Sequence, residues 1–183
     1  MKYQRVLDFW FDENADKWFT KNKSFDQAIR SEFEPLYNEL KDLPHKELTS
    51  SAKEALAMII TLDQFPRNMY RGTPHAFAAD KMALCIAKES VQKGYDKKLN
   101  PQERVFMYLP FEHSEDIEDQ KDAVKFFTTL FEENPTLAQA LDYAIQHLNI
   151  IKRFGRFPHR NEILGRQSTP EEIEFLKEEG SSF

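Results

Sequence analysis

The sequence predicts an all-α protein of about eight helices, and three observations support this class. Apolar residues recur at helical spacing through most of the chain. Helix start signals, in which Ser or Thr precedes Glu or Gln by three residues, repeat along it. No pair of alternating segments is joined by a hairpin turn. Because no linker divides the chain, residues 1–183 are predicted to form a single domain.

Four helices are predicted in the first part of the chain. Aromatic residues open the first, and Ser24 with Gln27 gives the second a capping pattern. Ser51 and Glu54 repeat that pattern before a helix whose apolar residues run almost all the way round, so this helix is expected to be central. Thr73 caps the fourth. The predicted ranges are 3–11, 24–40, 52–62 and 73–93.

Four more helices follow, and Pro or Gly marks most of their ends. The first is expected to stop at Pro110, the second to be capped by Ser114, and the third to end near Gly155. Thr169 and Glu172 form a capping pattern for a short last helix. The predicted ranges are 100–110, 115–132 and 134–154, with the last helix starting at 169.

Composition restricts the class of protein and its partners. Phe occurs 16 times and Gly 5 times, which favours a compact core rich in aromatic residues. The formal net charge of −6 disfavours nucleic acid and anionic membranes as partners, and a protein partner remains an option. Cys85, the single cysteine, is predicted to be a buried thiol in a reducing compartment. With no signal peptide or membrane span in the sequence, the chain is expected to be cytoplasmic.

The segment Ile151–Arg166, called the basic loop below, breaks the helical pattern. In an acidic chain it concentrates Lys and Arg against a single Glu162 and holds His159 at its centre. Gly and Pro interrupt any regular period, so a long loop rich in planar hydrogen-bond donors is predicted, and it is the first candidate for a functional site. Its basic residues are Lys152, Arg153, Arg156, Arg160 and Arg166.

A similar motif occurs earlier in the chain. Residues 65–68, Phe-Pro-Arg-Asn, resemble residues 157–161, Phe-Pro-His-Arg-Asn. In both places an apolar helix is expected to end in a Phe-Pro turn, pass an Arg-Asn pair and enter a helix capped by Thr-Pro. Either the two turns lie side by side on one face of a helical array, or the similarity arose by chance.

Asp63 is predicted to face the core, because it shares the apolar stripe of its helix. A carboxylate buried at the C-terminal end of a helix needs a cation or several N–H donors. The candidate partners are Gln64, Arg67 and Asn68 nearby in sequence, and Arg156 or Arg160 of the basic loop.

Other polar residues are expected to point inward from later helices. His113, Asp116 and Gln120 lie at the edge of an apolar arc, and His147 is expected to be a hydrogen-bonded residue beside the core. Arg153 is expected at the surface. Carboxylates opposite the apolar arc are predicted to be solvated. These are Glu115, Glu118, Asp119 and Asp122.

Two interpretations of the inward-pointing residues remain open. They form either a buried network that pins helix ends together, or a cleft in which Arg side chains hold an anionic group beside an acid–base residue. No metal site is expected, because no two histidines have a short ligand spacing, and no motif indicates a cofactor. The set is Asp63, Gln64, Arg67, His113, Asp116, Gln120, His147, Arg156, His159 and Arg160.

Several motifs together resemble those of one family. They are Phe9-Trp10-Phe11, the run Leu62–Asp80, the run Tyr108–Asp116, Gln120, and the run Arg153–Thr169. In these motifs the chain resembles the bacterial DUF924 family of unknown function. The resemblance implies a helical fold similar to tetratricopeptide repeats, with antiparallel helix pairs stacked in a right-handed array, and it implies no reaction. Phe111 and Glu112 depart from the pattern, since more apolar residues are expected there.

Two functions are therefore predicted as alternatives. The first is a binding module whose Arg-rich cleft takes an anionic small molecule or an acidic or C-terminal peptide. The second is a hydrolase or lyase in which His113 or His159 exchanges protons and Asp63 or Asp116 orients it. The ligand-binding residues are predicted to be Gln64, Arg67, Asn68, Gln120, His147, Arg156, Arg160, Asn161 and Arg166.

Overall fold

The computed structural model describes residues 2–43 and 50–182, and this part of the chain is helical with no strand. The predicted all-α class is confirmed, while the likeness to tetratricopeptide repeats stays a prediction. The helices are α1 Lys2–Leu7, α2 Lys23–Lys41, α3 Ala52–Ile59, α4 Phe65–Met69, α5 Asp80–Gln92, α6 Pro101–Glu112, α7 Ile117–Glu133, α8 Ala138–Phe154 and α9 Pro170–Phe175.

The chain forms two compact units. The first comprises Met1–Arg71 and His75–Pro110, and the second comprises Gly72–Pro74 and Phe111–Phe183. The prediction of a single domain over 1–183 stays a prediction. Among the described helices, none is both long enough and apolar enough to cross a membrane.

Aromatic side chains organise the core of the first unit. After α1 the chain continues as a π-helical turn over Asp8–Glu13, which places Phe9 and Trp10 in the core. Their rings contact Phe25 of α2 and Phe65 of α4, with centroids 5.6–6.3 Å apart. The aromatic N-terminus is therefore a packed part of the unit, in agreement with the composition.

The start of α2 differs from the predicted one. Asn22, not Ser24, is the N-cap, because its side chain accepts a hydrogen bond from the Phe25 N–H at 3.0 Å. The Ser24 hydroxyl instead donates to the Asn22 side chain at 2.7 Å. Both residue types are good caps, so the sequence pattern alone could not choose between them.

The first Phe-Pro motif is helical, so the turn predicted there is wrong. Between α3 and α4 the backbone stays helical through a π turn over Ile60–Gln64. The Phe65 N–H bonds the Ile60 carbonyl, five residues back. This wider turn accommodates Pro66, which lacks an N–H and would clash in a regular helix interior.

Two other helix boundaries depart from prediction for related reasons. The segment after Thr73 begins as a 3₁₀ turn over Pro74–Phe77, so α5 starts only at Asp80. Helix α6 passes through Pro110 and ends two residues later. A proline in the last turn of a helix removes few hydrogen bonds, so it does not have to end the helix.

In the second unit, α7 and α8 pack against each other and are joined by a short connection over Pro135–Leu137. The end of α8 contributes Ile150 and Ile151 to a core cluster with Phe157. Around this cluster pack Ile117, Phe154 and Phe175. A residue of the basic loop is therefore part of the core of this unit.

Candidate functional site

The basic loop is shorter than predicted, because its first four residues complete α8. Gly155, with φ at +69°, ends the helix in the left-handed conformation that glycine adopts without strain. A single 3₁₀ turn over Pro158–Arg160 follows. Backbone hydrogen bonds close a series of turns through this segment, from Arg160 N–H to the Phe157 carbonyl up to Arg166 N–H to the Asn161 carbonyl. Side chains tie these turns to the rest of the unit.

Arg166 and Glu115 form the first of two ion pairs that hold this segment. The guanidinium donates to both carboxylate oxygens, at 2.7 and 2.9 Å, and also to the Phe157 carbonyl at 3.1 Å. The Phe157 N–H donates to the same carboxylate at 2.8 Å. Burial alone would raise the pKa of Glu115, but these hydrogen bonds lower it. The prediction that Glu115 is a solvated residue is therefore wrong.

Arg156 and Glu172 form the second pair. The guanidinium donates to both oxygens, at 2.6 and 2.7 Å, and the Thr169 N–H donates to the same carboxylate at 2.7 Å. Mainly through the hydrogen bond with Arg156, the pKa of Glu172 falls to about 2. Thr169 and Glu172 also complete the predicted capping box of α9. The sequence identified Glu172 only as a capping residue and gave no sign of its partner.

Asn161 joins the two pairs. This side chain is fully buried; its oxygen accepts from Arg166 at 2.9 Å and its amide group donates to Glu172 at 3.3 Å. Arg156, Asn161 and Arg166 were predicted to bind a ligand. Their hydrogen-bonding groups are instead directed at protein carboxylates and at each other, which is the arrangement expected of a buried network.

Two histidines and one arginine of the second unit lie around the Phe157 ring, and a third histidine lies beside one of them. The rings of His147 and His159 lie 5.4 and 5.7 Å from Phe157, and the Arg160 guanidinium lies 4.4 Å above it. His113 lies 6.4 Å from His147. We call His113, His147, His159 and Arg160 the histidine cluster. The sequence placed these residues among the inward-pointing ones, although they are far apart in the chain.

His147 is the buried member of the cluster. Its Nδ1 lies 2.8 Å from the Tyr143 carbonyl, so Nδ1 carries the proton and the imidazole is hydrogen-bonded as predicted. Burial lowers the pKa of His147 to about 3, and His113, Arg160 and His159 act in the same direction. At neutral pH this imidazole is therefore uncharged, with Nε2 as its basic nitrogen.

The backbone that carries His113 is held at three consecutive carbonyls. The Gln120 amide group donates to the carbonyls of Glu112 and Ser114, at 2.5 and 2.7 Å, and Arg160 donates to that of His113 at 3.0 Å. Gln120 is fully buried, and its own side-chain oxygen has no hydrogen-bond partner in the described part of the chain. Gln120 thus positions His113.

Asp116 has a role in the structure that the sequence did not predict. Its carboxylate caps α7 by accepting from the N–H groups of Glu118 and Asp119, at 2.8 and 3.3 Å. Ser114, which was predicted to be this cap, donates to the Asp119 carboxylate instead. Oδ1 of Asp116 is thus the N-cap acceptor of α7, and the assignment of Asp116 as the residue that orients a histidine stays a prediction.

The remaining predicted site residues belong to the first unit. Asp63 is fully buried and pairs with Arg67 at 3.2 Å and with the Gln64 amide at 2.6 Å, which confirms its expected local partners. Arg67 also binds both oxygens of Asp80, at 2.9 and 3.0 Å. Asn68 donates to the Gln64 carbonyl at 3.1 Å. These contacts clamp α4 to the start of α5.

The sequence model of one family matches residues 6–180. That family is described as a bacterial protein of unknown function, DUF924. The chain belongs to the DUF924 family. A solved structure, that of the protein of unknown function ATU0120 from Agrobacterium tumefaciens, is 39% identical, with a TM-score of 0.87. The alignment covers 96% of this chain and 97% of that one. A search of curated proteins gives no match.

Membership of DUF924 confirms the family that the motifs indicated and leaves the reaction open. The motifs Tyr108–Asp116 and Arg153–Thr169 supply the ion-pair network except for Glu172, and the histidine cluster except for His147. No group of three or more His, Cys, Asp or Glu residues in the described ranges is arranged to hold a metal ion.

Replacing either of two neighbouring glutamates of α9 should lower the free energy of unfolding by very different amounts, because only one of them belongs to the ion-pair network. Glu172→Gln should lower the free energy of unfolding by about 2 kcal/mol, because it leaves Arg156 without its carboxylate in a partly buried site. The exposed Glu171, which pairs with Arg153, provides the matched control, and Glu171→Gln should cost less than about 0.5 kcal/mol. Thermal unfolding measures both. Equal losses would contradict the structural role of Glu172.

His147 predicts a specific loss of stability in mild acid. The unfolded chain takes up a proton on this residue near pH 6.5, whereas the folded chain does so only near pH 3. Between these values the unfolded state binds more protons. The free energy of unfolding therefore decreases as the pH is lowered, by up to about 1.4 kcal/mol per pH unit. Urea unfolding between pH 6.5 and 4.5 should show this slope in the wild type.

In His147→Gln, the free energy of unfolding should depend less steeply on pH, by the contribution that His147 makes in the wild type. The matched control is His75→Gln, because His75 is exposed in the first unit and its replacement should leave the slope unchanged. Wild-type and His147→Gln proteins with the same pH dependence would show that His147 is not buried in its neutral form.

Proposed function

We propose that the second unit binds a small anionic molecule, or the carboxylate of a peptide, at the histidine cluster. The observation that carries this proposal is the grouping of three imidazoles and one guanidinium: the His147 and His159 rings lie 5.4 and 5.7 Å from the Phe157 ring, Arg160 lies 4.4 Å above it, and His113 lies 6.4 Å from His147. An anion placed beside these groups would accept charged hydrogen bonds from Arg160 and from the imidazole N–H groups.

The contacts of the other arginines reduce the number of residues proposed to bind the ligand. Arg156 and Arg166 are each engaged by a carboxylate through two hydrogen bonds, so recruiting them would break an existing ion pair. We therefore assign the anion to the imidazoles and Arg160, in place of the wider Arg-rich cleft expected from the sequence. The two pairs serve as a frame for the site.

Burial supports a direction of access. His113 and His159 are partly exposed, whereas His147 and Arg160 are buried. A ligand from solvent would meet the first two side chains, with the buried pair beneath them. Phe157 supplies a fully buried apolar floor. A few polar groups over an apolar surface are typical of small-molecule sites.

The surroundings of the protein are part of the same proposal. We place it in the cytoplasm, on the basis of its single cysteine, and we propose neither a nucleic acid nor a membrane as partner, on the basis of its net charge of −6. The ligand would then be a soluble metabolite or a protein terminus.

Nuclear magnetic resonance of the imidazole groups tests the proposed binding. Titration with inorganic phosphate, citrate or succinate should produce saturable shifts at His113 and His159 that fit one dissociation constant. His75 should not shift with that constant, because it lies in the first unit. His113→Gln should weaken binding about tenfold or more, through loss of a charged hydrogen bond. The absence of saturable shifts with all three anions would refute the proposal.

Acid–base catalysis on such an anion is the second candidate function. The Glu112 carboxylate is buried, which is uncommon for a charged group, and it lies 3.4 Å from the His147 Nδ1. A carboxylate beside an imidazole can orient the ring and stabilise its protonated form during proton transfer. Glu112 would then play the part that the sequence assigned to Asp63 or Asp116.

A hydrolase of this kind should cleave an activated ester. Release of nitrophenol from p-nitrophenyl phosphate or acetate should be measurable, and His147→Gln should slow it by about a hundredfold, because it removes the imidazole that Glu112 orients. His75→Gln controls for loss of an exposed histidine. Turnover that is equal in the two variants, or no turnover at all, would exclude the hydrolase and leave the binding site in place.

A further inference from the structure

A strained turn in the first unit presents an aromatic side chain to solvent. Phe19 has φ at +58°, the only positive value among the described non-glycine residues, and its side chain is 78% exposed. A bulky residue in this conformation is uncommon and costs free energy. The backbone conformation therefore does not favour phenylalanine at this position.

The strain follows from the type of turn. Trp18 has φ and ψ of −55° and 147°, and Thr20 donates from its N–H to the Lys17 carbonyl at 3.3 Å. Together with the positive φ of Phe19, this is a type II turn, whose third residue is normally Gly or Asn. The Thr20 hydroxyl also donates to the Lys17 carbonyl, at 2.8 Å, and helps to hold the turn closed.

The turn is mounted on a rigid base. The Trp18 indole donates to the Trp10 carbonyl at 2.9 Å, and its ring lies 4.7 Å from the buried Phe106. The Phe19 ring is parallel to that of Phe106, with centroids 6.1 Å apart. An exposed aromatic ring that is already fixed in position loses little conformational entropy on binding, as is typical of interface hot spots.

Charged residues of both signs flank Phe19 in the sequence, and they favour a second copy of the chain as the partner. Asp12 and Asp16 precede it and Lys21 and Lys23 follow it, and all four are exposed. None of the four forms an ion pair within the described ranges 2–43 and 50–182. In a twofold pairing at Phe19, these two aspartates of one copy could pair with the two lysines of the other, so the exposed residues around the turn supply both signs of charge for association with a second copy.

We infer that this turn is a self-association surface, at which Phe19 of one chain packs against Phe19 of a second copy. Contacts of Asp12 and Asp16 with Lys21 and Lys23 would set the orientation. An anionic membrane fits less well, because one phenylalanine and two lysines flanked by two carboxylates attract it weakly. The inference is independent of the ligand proposed for the histidine cluster.

Sedimentation velocity on the full chain, over a wide range of concentrations, tests this inference. The wild type should show a monomer–dimer equilibrium, and Phe19→Gly should weaken it about tenfold or more. Because glycine suits the positive φ, the same variant should keep or raise the melting temperature. Tyr143→Ala, which removes another exposed aromatic ring, should leave association unchanged.

Charge exchange provides the sharper test of the twofold arrangement. Lys21→Glu with Lys23→Glu, and Asp12→Lys with Asp16→Lys, should each dissociate the dimer. Mixing the two variants should restore a heterodimer, since opposite charges then meet. A wild type that stays monomeric up to about 1 mM, with or without binding to phosphatidylglycerol vesicles, would overturn the inference. So would a dimer that Phe19→Gly leaves unchanged.

Discussion

The second unit depends on two bidentate ion pairs, Arg166 with Glu115 and Arg156 with Glu172, that share Asn161. Between α8 and α9 the chain forms a 3₁₀ turn over Pro158–Arg160 and further hydrogen-bonded turns up to Arg166, but no longer helix. Planar guanidinium groups fix both distance and orientation when they bind a carboxylate through two hydrogen bonds. The two ion pairs therefore attach this segment to Glu115, which precedes α7, and to Glu172 of α9.

The histidine cluster is a consequence of this frame. Glu115 accepts from the Phe157 N–H and from Arg166, which also donates to the Phe157 carbonyl. The Phe157 backbone is thereby held at both of its polar groups, and its ring separates His147 from His159. The same geometry buries His147 and forces it to stay neutral. The anion site and the proton-transfer site proposed above both rest on the grouping of His147, His159 and Arg160 around this one ring.

The places where prediction from sequence failed have a common physical cause. Residues 65–68 and 157–161 have nearly the same sequence, yet the first is inside a helix and the second follows one. Gly155 ends α8 before the Phe157-Pro158 motif begins. At the Phe65-Pro66 motif a π turn accommodates the proline, and the helix continues. Glu115 was assigned to solvent because helical periodicity predicts only which side of a helix faces the apolar core, and Glu115 precedes α7. Local patterns describe local bonds, and these outcomes depend on partners distant in the sequence.

The sequence by itself determined the all-α class, the family and the capping of α9. Those features depend on periodicity, on neighbours within four residues, or on whole motifs, all of which can be read along the chain. Only the tertiary structure decided that Arg156 binds Glu172, that Arg166 binds Glu115, and that His147 and His159 lie against Phe157. The two ion pairs join residues 16 and 51 positions apart, and their energy depends on burial and orientation, which a linear sequence does not specify.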